Sequence, residues 1–279
     1  MWQKLSWIIL GVSATLYITL CLLLRWRQTR LIFFPDSEIK STPQEYGLDY
    51  QDVWLSVGSD QVHGWWIEGE KAAAPALLYF HGNGSNNGDL TELATIFHQL
   101  GLSVLLIDYR GYGRSSPVFP NETRVYEDAA AAWKYLLQVQ QLKPEQIFVY
   151  GHSLGGAIAI ELATEYPQMA GLIVEGTFTS IADMASLMPG IKLFPLPWLV
   201  TQRFDNLAKI DSLEVPILIF HGTADGVIPV GMSHQLFAAA REPKQLSIVK
   251  DAGHNNLPEF AARQYSLTLK QFIQANSQH

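Results

Sequence analysis

A serine enclosed by glycines, between a predicted strand and a predicted helix, constrains the fold of this chain most strongly. Residues 147–150 are β-branched or aromatic and predict a short buried strand, and residues 154–165 form a run typical of a helix. Ser153 lies between them in the sequence GHSLG, residues 151–155. A serine on so sharp a turn needs small neighbours, because its backbone is strained and other segments pass close to it. Glycine and serine are common in ordinary turns too, so the flanking strand and helix are what predict a nucleophile at Ser153.

Predicted strands and helices alternate along most of the chain. Buried strands are predicted at 76–80, 103–107, 147–150, 171–174, 216–220 and 246–249, and helices at 89–100, 123–140, 154–165, 231–240 and 258–275. Two alternating runs ahead of them, 48–57 and 61–68, are separated by Gly-Ser-Asp and predict a β-hairpin. This order predicts an α/β fold with a mostly parallel sheet and helices on both faces.

The first thirty residues predict a membrane anchor. Residues 5–24 carry no charge and as a helix would extend about 30 Å, the thickness of the hydrocarbon core of a bilayer. A secretory signal peptide would be shorter and would end in small residues, whereas this run ends in Arg-Trp-Arg at residues 25–27. A buried core helix seldom lacks charge on every face, so we expect one transmembrane helix within residues 1–30. Three arginines follow the span, against Lys4 and the terminal amine before it, which predicts a cytoplasmic body.

The charge of the remaining chain argues against nucleic-acid binding. The net charge is −7, and the first thirty residues contain four cations and no anion, which leaves 15 basic and 26 acidic residues in 31–279. A body with a net charge of −11 and no basic stripe is a poor partner for nucleic acid. The single cysteine, Cys21, excludes an intrachain disulfide and suggests no zinc cluster. No metal or organic cofactor is expected.

Residues 31–47 form a linker that begins with an apolar hook, and residues 48–279 form the predicted α/β domain. Residues 177–206 interrupt the alternation within that domain, with three prolines and many large apolar side chains. A loop of this length inside a compact domain usually covers a functional site. We therefore expect residues 177–206, called the cap below, to cover the mouth of an active site. The alternative is ordinary helix-and-loop filler.

His254 is the best candidate for the base that an active serine requires. It follows the last predicted strand in a loop rich in glycine and asparagine, which can bring its ring over the edge of the sheet. Three other histidines adjoin strand ends, where a structural hydrogen bond is the expected role: His81, His152 and His221.

Asp225 is the best candidate for the acid that orients His254. It lies 72 residues after Ser153 and 29 residues before the histidine, in the chain order Ser, acid, His that this kind of turn requires. Glu175, at the end of the preceding predicted strand, is the competitor. Asp251 lies too near His254 in the sequence to reach around easily, and stabilisation of a turn explains it better.

Acyl transfer also needs hydrogen-bond donors for the oxyanion that develops on the substrate. The sequence HGNGSN, residues 81–86, follows the strand 76–80, where this architecture places its first donor. The predicted donors are the backbone N–H groups of Asn83 and Leu154, with Gly84 as a substitute for Asn83. The alternative for this loop is a plain turn of glycine and asparagine.

Five motifs in this order resemble the α/β-hydrolase superfamily: HGNG, DYRGYGRS, GHSLGG, HGTAD-x-VIP and GHNN. The resemblance covers residues 48–275. The N-terminal span, the hook and the short cap are similar to a membrane-anchored branch related to yeast Bem-type proteins and mammalian depalmitoylating serine hydrolases. The resemblance implies an α/β-hydrolase fold with Ser153, Asp225 and His254 as its triad.

These observations predict a membrane-tethered serine hydrolase that cleaves carboxylic esters or thioesters through an acyl-enzyme. Its expected partners are a membrane and an acyl ester, lipid or acylated-protein substrate. A serine at this position argues against the dehalogenase and epoxide-hydrolase chemistries of the same fold, which use aspartate there. Two alternatives stay open: a serine peptidase of the same fold, and a catalytically silent membrane adaptor.

Overall fold

A computed structural model describes residues 2–71 and 74–277 of the chain. Met1, Ala72, Ala73, Gln278 and His279, which the predicted segment boundaries include, lie outside the described residues. The strands are β1 (Gln51–Val57), β2 (Asp60–Ile67), β3 (Ala76–Phe80), β4 (Ser103–Ile107), β5 (Ile147–His152), β6 (Gly171–Glu175), β7 (Ile217–Gly222) and β8 (Lys244–Val249). The helices are α1 (Trp2–Arg27), α2 (Thr29–Ile32), α3 (Thr91–Gln99), α4 (Glu122–Gln138), α5 (Leu154–Glu165), α6 (Ile181–Ser186), α7 (Leu196–Leu199), α8 (Asn206–Ile210), α9 (Val230–Ala239), α10 (Leu257–Phe260) and α11 (Ala262–Asn276).

The strands form one sheet in the order β1-β2-β4-β3-β5-β6-β7-β8. β1 and β2 form the predicted hairpin, and β2 pairs antiparallel with β4. All other neighbouring strands pair in parallel, so β5 runs between parallel neighbours on both sides. The carboxyl ends of β3 and of β5 to β8 therefore meet at one edge of the sheet, which is where sheets of this kind bind their ligands.

Helices cover both faces of the sheet, as predicted. One face packs against α4, α5, α8 and α9, with Trp133, Ile158 and Leu236 in the core. The opposite face packs against α3 and α11 through residues such as Phe97 and Tyr265. These layers bury the continuous apolar strands on both sides, which explains why the strands lack a polar face.

Each predicted strand and helix has a counterpart in the structure, with ends that differ by up to three residues, except at the C-terminus; the short helices α2 and α8 were not predicted. The single helix predicted over 258–275 is wrong, because the chain forms α10 and α11 with a break at Ala261. The backbone of Ala261 has φ −129° and ψ 41°, which is outside the helical region. No proline or glycine marks this break, so the helical pattern continues through it.

The cap consists of α6, one 3-10 turn (Ile191–Leu193) and α7, joined by short connections. Its start is held by the Ser180 hydroxyl, which accepts a hydrogen bond from the Asp183 N–H and so satisfies the first turn of α6. Its end is held by Glu122 of α4, whose carboxylate accepts from the N–H groups of Arg203 and Phe204.

α1 is the only helix in the described part of the chain that is long and apolar enough to cross a membrane. Its 26 residues contain the predicted span, and most of its large apolar side chains are exposed. Side chains exposed to this extent are unsuited to water but suited to lipid. The helix is not isolated from the body, because the Tyr17 ring stacks on Phe194 of the cap, with ring centres 5.7 Å apart.

If α1 spans a bilayer, the protein should stay in the membrane pellet after washing with alkaline carbonate, since the exposed apolar surface of the helix holds it there. A chain shortened to begin at Gln28 should pass into the supernatant. The measurement is immunoblotting of both fractions, with a peripheral protein as the extraction control. Recovery of the full-length chain in the wash would exclude the span.

Candidate active site

Ser153 stands on a strained turn between β5 and α5. Its φ of 54° and ψ of −117° are unusual for a residue with a side chain, and such strain persists only where neighbours hold it. The Ser153 N–H donates to the Glu175 carbonyl at 2.8 Å, and the Thr177 hydroxyl donates to the Ser153 carbonyl at 2.9 Å. Glu175, which ends β6, and Thr177, two residues after it, thus hold the turn from one side.

The glycines on either side of the serine allow close packing that no other residue would permit. A Cβ on Gly151 would lie 2.2 Å from the Gly155 carbonyl oxygen, and a Cβ on Gly155 would lie 2.0 Å from the Phe80 carbonyl oxygen. Both distances are far inside van der Waals contact. The glycines therefore bring the start of α5 directly against β5 and the end of β3.

His254 and Asp225 complete a hydrogen-bonded line that starts at Ser153. His254 Nε2 lies 3.0 Å from the Ser153 hydroxyl oxygen, and His254 Nδ1 lies 2.7 Å from Asp225 Oδ2. The serine follows β5, the aspartate follows β7 and the histidine follows β8, so the sheet brings together three residues that are far apart in the sequence. Because both ring nitrogens of His254 are engaged, no second carboxylate is needed to orient the ring.

The Asp225 carboxylate is buried but receives several hydrogen bonds. Oδ1 accepts from the N–H groups of Val227 and Ile228, both at 2.8 Å. Burial by itself would raise the pKa of Asp225, but hydrogen bonds from His221, His254 and Ile228 lower that pKa well below its usual value. Asp225 is therefore an anion at every pH at which the protein would work.

Two histidines beside this line position it, and sequence reasoning did not assign them these contacts. His152 Nε2 lies 3.0 Å from the His254 carbonyl, and burial lowers the pKa of His152 to about 4. A neutral His152 donates this hydrogen bond and holds the His254 backbone. His221 Nε2 lies 3.2 Å from Asp225 Oδ2, and its Nδ1 lies 2.6 Å from the Ser233 hydroxyl. Their position at strand ends, noted in the sequence, was the only signal.

Glu175, the competing acid, lies apart from this line in a buried cluster. Its carboxylate accepts a hydrogen bond from the Tyr150 hydroxyl, and the Tyr150 and Tyr265 hydroxyl oxygens are 2.9 Å apart. Burial raises the pKa of Glu175 to about 7, although the Tyr150 hydrogen bond opposes that shift. The two carboxyl groups therefore differ sharply in their tendency to ionise.

The two predicted oxyanion donors lie beside Ser153. Leu154 is the first residue of α5, where a backbone N–H has no partner within the helix. Asn83 lies in the loop after β3, and its neighbour Gly82 approaches the serine so closely that a Cβ on it would be 3.3 Å from the Ser153 Cβ. Within the described residues, neither the Asn83 N–H nor the Leu154 N–H donates a hydrogen bond to the protein.

The side chain of Asn83 has a second contact that the sequence did not indicate. Its oxygen accepts from the Phe34 N–H at 2.8 Å and from the Tyr112 hydroxyl at 3.0 Å, and its amide nitrogen donates to the Ile32 carbonyl. Asn83 therefore ties the linker that follows α1 to the loop beside the serine. No local pattern could reveal this, because the partners are about fifty residues apart.

A cavity of about 1220 Å³ opens over Ser153 and His254. Cap residues form one wall, and the end of α1 with the linker forms another; the lining residues from these walls are Leu24, Gln28, Leu31, Ile32, Phe34, Phe178, Ile181, Met184, Ala185, Met188, Ile191, Leu196, Leu199 and Val200. These two walls are mostly apolar, while Ser153, His254, Asp89, Glu92 and Glu259 supply polar groups elsewhere in the lining. The arrangement suits a long apolar group that ends in a reactive carbonyl.

Comparison with known proteins identifies the family of this chain. Residues 71–209 match the Hydrolase_4 family, described as "Serine aminopeptidase, S33". An uncharacterized protein of Mycobacterium tuberculosis is 34% identical over 232 residues, 82% of this chain and 81% of that protein. Protein bem46 of Schizosaccharomyces pombe is 32% identical over 217 residues, 73% of this chain and 70% of that protein.

Solved structures extend the likeness to the fold. The esterase PF2001 of Pyrococcus furiosus superposes with a TM-score of 0.74 at 18% identity, over 88% of this chain and 98% of the esterase. At that identity the match shows the fold alone, whereas the more similar sequence relatives show the family. The chain therefore belongs to the α/β-hydrolase superfamily, in the branch that includes protein bem46, and it has the hydrolase fold.

Proposed function

We propose that this hydrolase cleaves carboxylic esters or thioesters of apolar acyl groups through an acyl-enzyme on Ser153, while tethered to a membrane by α1. The observation that carries the proposal is the line from Asp225 through His254 to Ser153 at the floor of the cavity, with 2.7 Å and 3.0 Å between its bonded atoms. Each contact has the length of a hydrogen bond.

In the first half of the reaction, the Ser153 oxygen attacks the acyl carbonyl as His254 Nε2 takes its proton. Asp225 accepts the hydrogen bond from Nδ1, which fixes the tautomer of the ring and stabilises the imidazolium. The carbonyl oxygen becomes an oxyanion beside the N–H groups of Asn83 and Leu154, which donate to it. The imidazolium then gives its proton to the departing alcohol or thiol, and the acyl group stays on the serine.

In the second half, a water molecule loses a proton to His254 and attacks the acyl-enzyme. The carbon–oxygen bond to Ser153 breaks, the serine regains its proton from the imidazolium, and the carboxylic acid leaves. The positioning hydrogen bond of His152 to the His254 backbone keeps the ring in place during both halves. All these groups belong to the chain, and the only co-reactant is water.

The apolar lining favours acyl esters over peptides as substrates. A peptidase would also need groups that recognise a peptide backbone or terminus, while the cap and linker present mainly aliphatic and aromatic side chains to the cavity. A silent adaptor would have no reason to keep a complete proton-transfer line. We place the body on the cytoplasmic side, because three arginines follow the span and only Lys4 and the terminal amine precede it.

Acyl chain length should control the rate if the cavity binds the acyl group. Each buried methylene contributes at most about 0.8 kcal/mol, so kcat/KM should rise about tenfold or more from p-nitrophenyl acetate to p-nitrophenyl octanoate.

Replacement of the nucleophile, Ser153→Ala, should lower every rate by about a thousandfold or more and abolish labelling by a fluorophosphonate probe. Faster cleavage of aminoacyl amides than of these esters would favour the peptidase, and full activity of the Ser153→Ala variant would exclude the proposal.

The two carboxyl groups should differ in their effect on the rate. Asp225→Asn removes the charge that stabilises the imidazolium and upsets the tautomer, so kcat should fall about a hundredfold to ten-thousandfold. Glu175→Gln keeps an acceptor for Tyr150 and should cost less than about tenfold. Melting temperatures equal to that of the unmodified protein would exclude a folding defect as the cause in either variant. A crippled Glu175→Gln variant with an active Asp225→Asn variant would reverse the assignment.

Stability should depend on pH through Glu175. Its pKa of about 7 in the folded chain exceeds the ordinary value of 4.5, so the folded state holds a proton that the unfolded state has lost between these values. The free energy of unfolding therefore falls as pH rises through this window, and Glu175→Gln removes the loss. We expect the melting temperature of Glu175→Gln, relative to the unmodified protein, to be about 4 °C or more higher at pH 8 than at pH 5. Glu165→Gln, on the exposed end of α5, is the control, and an equal offset at both pH values would contradict the prediction.

A further inference from the structure

We propose that the cap lies in the same leaflet as the end of α1, so that the active-site cavity opens within the membrane and receives its acyl chain directly from the lipid. This inference rests on the proposed function, since it names where the acyl substrate of Ser153 resides. It also gives the linker a second role, as a wall of the acyl site rather than a connection between anchor and enzyme.

The first support comes from the hydrogen bonds that α1 and the residue directly after it make to the cap. The Tyr17 hydroxyl donates to the Leu193 carbonyl at 2.7 Å, the Arg25 guanidinium donates to the Trp198 carbonyl, and the Gln28 amide nitrogen donates to the Leu199 carbonyl at 3.3 Å. Backbone groups next to lipid need such partners, because no water is available to satisfy them. Polar side chains of an otherwise apolar helix thus donate hydrogen bonds to backbone carbonyls of the cap.

Gln28 extends this pattern to the donors of the cap. Its side-chain oxygen accepts from the Thr201 N–H at 2.8 Å and from the Gln202 N–H at 3.0 Å. The single residue between α1 and α2 therefore binds three backbone groups of the cap. These contacts hold the cap at a defined position along the axis of α1.

The second support is the depth of the cap relative to the membrane surface. Tyr17 lies eight residues before Arg25, which corresponds to about 12 Å along the helix axis, and the hydrocarbon core is about 30 Å thick. If Arg25 marks the membrane surface, the part of the cap that contacts Tyr17 lies below the headgroups. Arg25 also lies over the Trp198 ring, 4.9 Å from its centre, and tryptophan is typical of the boundary between lipid and water.

The third support is the outer surface of the cap, which is apolar and exposed. The exposed fractions are 53% for Leu187, 62% for Met188, 75% for Leu193 and 46% for Trp198. Lys192 is the only charged residue from Met184 to Gln202, and its long side chain can extend toward headgroups. Such a patch beside a membrane helix fits the acyl region of a leaflet, where interfacial segments insert about 5–10 Å.

The cavity joins this surface to the serine. Leu24 and Leu31, from the anchor side, line it together with Met188 from the cap, and Leu31 and Phe34 are largely exposed. An acyl chain in the leaflet can therefore pass between the anchor and the cap to reach Ser153 without entering water. Moving an acyl chain through water would cost about 0.8 kcal/mol per methylene, so this route favours long chains.

The test places a fluorescent probe on the cap of the full-length chain in phosphatidylcholine vesicles. Cys21→Ser removes the only native thiol, Leu193→Cys then carries an environment-sensitive NBD label, and Leu267→Cys on α11 carries it in the matched control. The label at 193 should emit as in an apolar medium and lose about half or more of its intensity to nitroxide-labelled lipid. The label at 267 should emit as in water and resist quenching.

A second arm measures activity with the paired variant Leu187→Asp and Leu193→Asp. Neither residue lines the cavity, so hydrolysis of soluble p-nitrophenyl butyrate should stay within about twofold, which also verifies folding. Hydrolysis of a long-chain acyl ester embedded in the vesicles should fall about tenfold, because aspartate opposes insertion of the cap. Leu267→Asp should leave both rates unchanged.

The outcomes separate this inference from the proposed function. Water-like emission at position 193, in a protein that still cleaves p-nitrophenyl butyrate, overturns the placement of the cap and leaves the hydrolase intact. An equal loss on both esters in the paired variant overturns it as well, since that result indicates general damage. Absence of ester cleavage by the unmodified protein overturns the proposed function and, with it, the supply of acyl chains from the lipid.

Discussion

The backbone of Ser153 is the constraint on which the rest of the structure depends. A side-chain-bearing residue at φ 54° costs on the order of 1–3 kcal/mol, so the surroundings must hold it there. The close packing of α5 on β5 and β3, made possible by Gly151 and Gly155, supplies part of that support. The hydrogen bond from the Ser153 N–H to Glu175 supplies another part. The turn therefore fixes where three neighbouring strands must end.

Around that turn, two buried carboxyl groups show how environment decides chemistry. Asp225 accepts hydrogen bonds from two backbone N–H groups and from His254, with His221 Nε2 3.2 Å away, and it stays ionised. Glu175 has the Tyr150 hydroxyl as its side-chain donor in an aromatic pocket, and its pKa rises to about 7. Both follow from the same physics, in which burial disfavours the anion and donated hydrogen bonds favour it. Because their pKa values differ in this way, the Asp225 carboxylate is suited to stabilise a cation, whereas the Glu175 carboxyl group is suited to remain neutral.

Much of this architecture could be predicted from the sequence, because strands buried on both faces and amphipathic helices leave clear local patterns. Ser153, Asp225 and His254 each follow a predicted strand, and they were chosen from that position and from their order in the chain. The structure brings them within hydrogen-bonding distance of one another, while their catalytic roles stay a prediction. The break at Ala261 and the contacts of Asn83 could not be predicted. Both depend on packing between distant segments, which local periodicity does not encode.

The hydrogen bonds between α1 and the cap make the N-terminal helix a specific part of this hydrolase. A polyleucine helix in place of α1 would be as apolar, yet it would leave the carbonyls of Leu193 and Trp198 without their partners. Exchange of the N-terminal helix between relatives would meet the same obstacle unless the cap were exchanged with it. The helix and the cap therefore behave as one inherited unit, and positions 17, 25 and 28 should vary together with the cap segment that they contact.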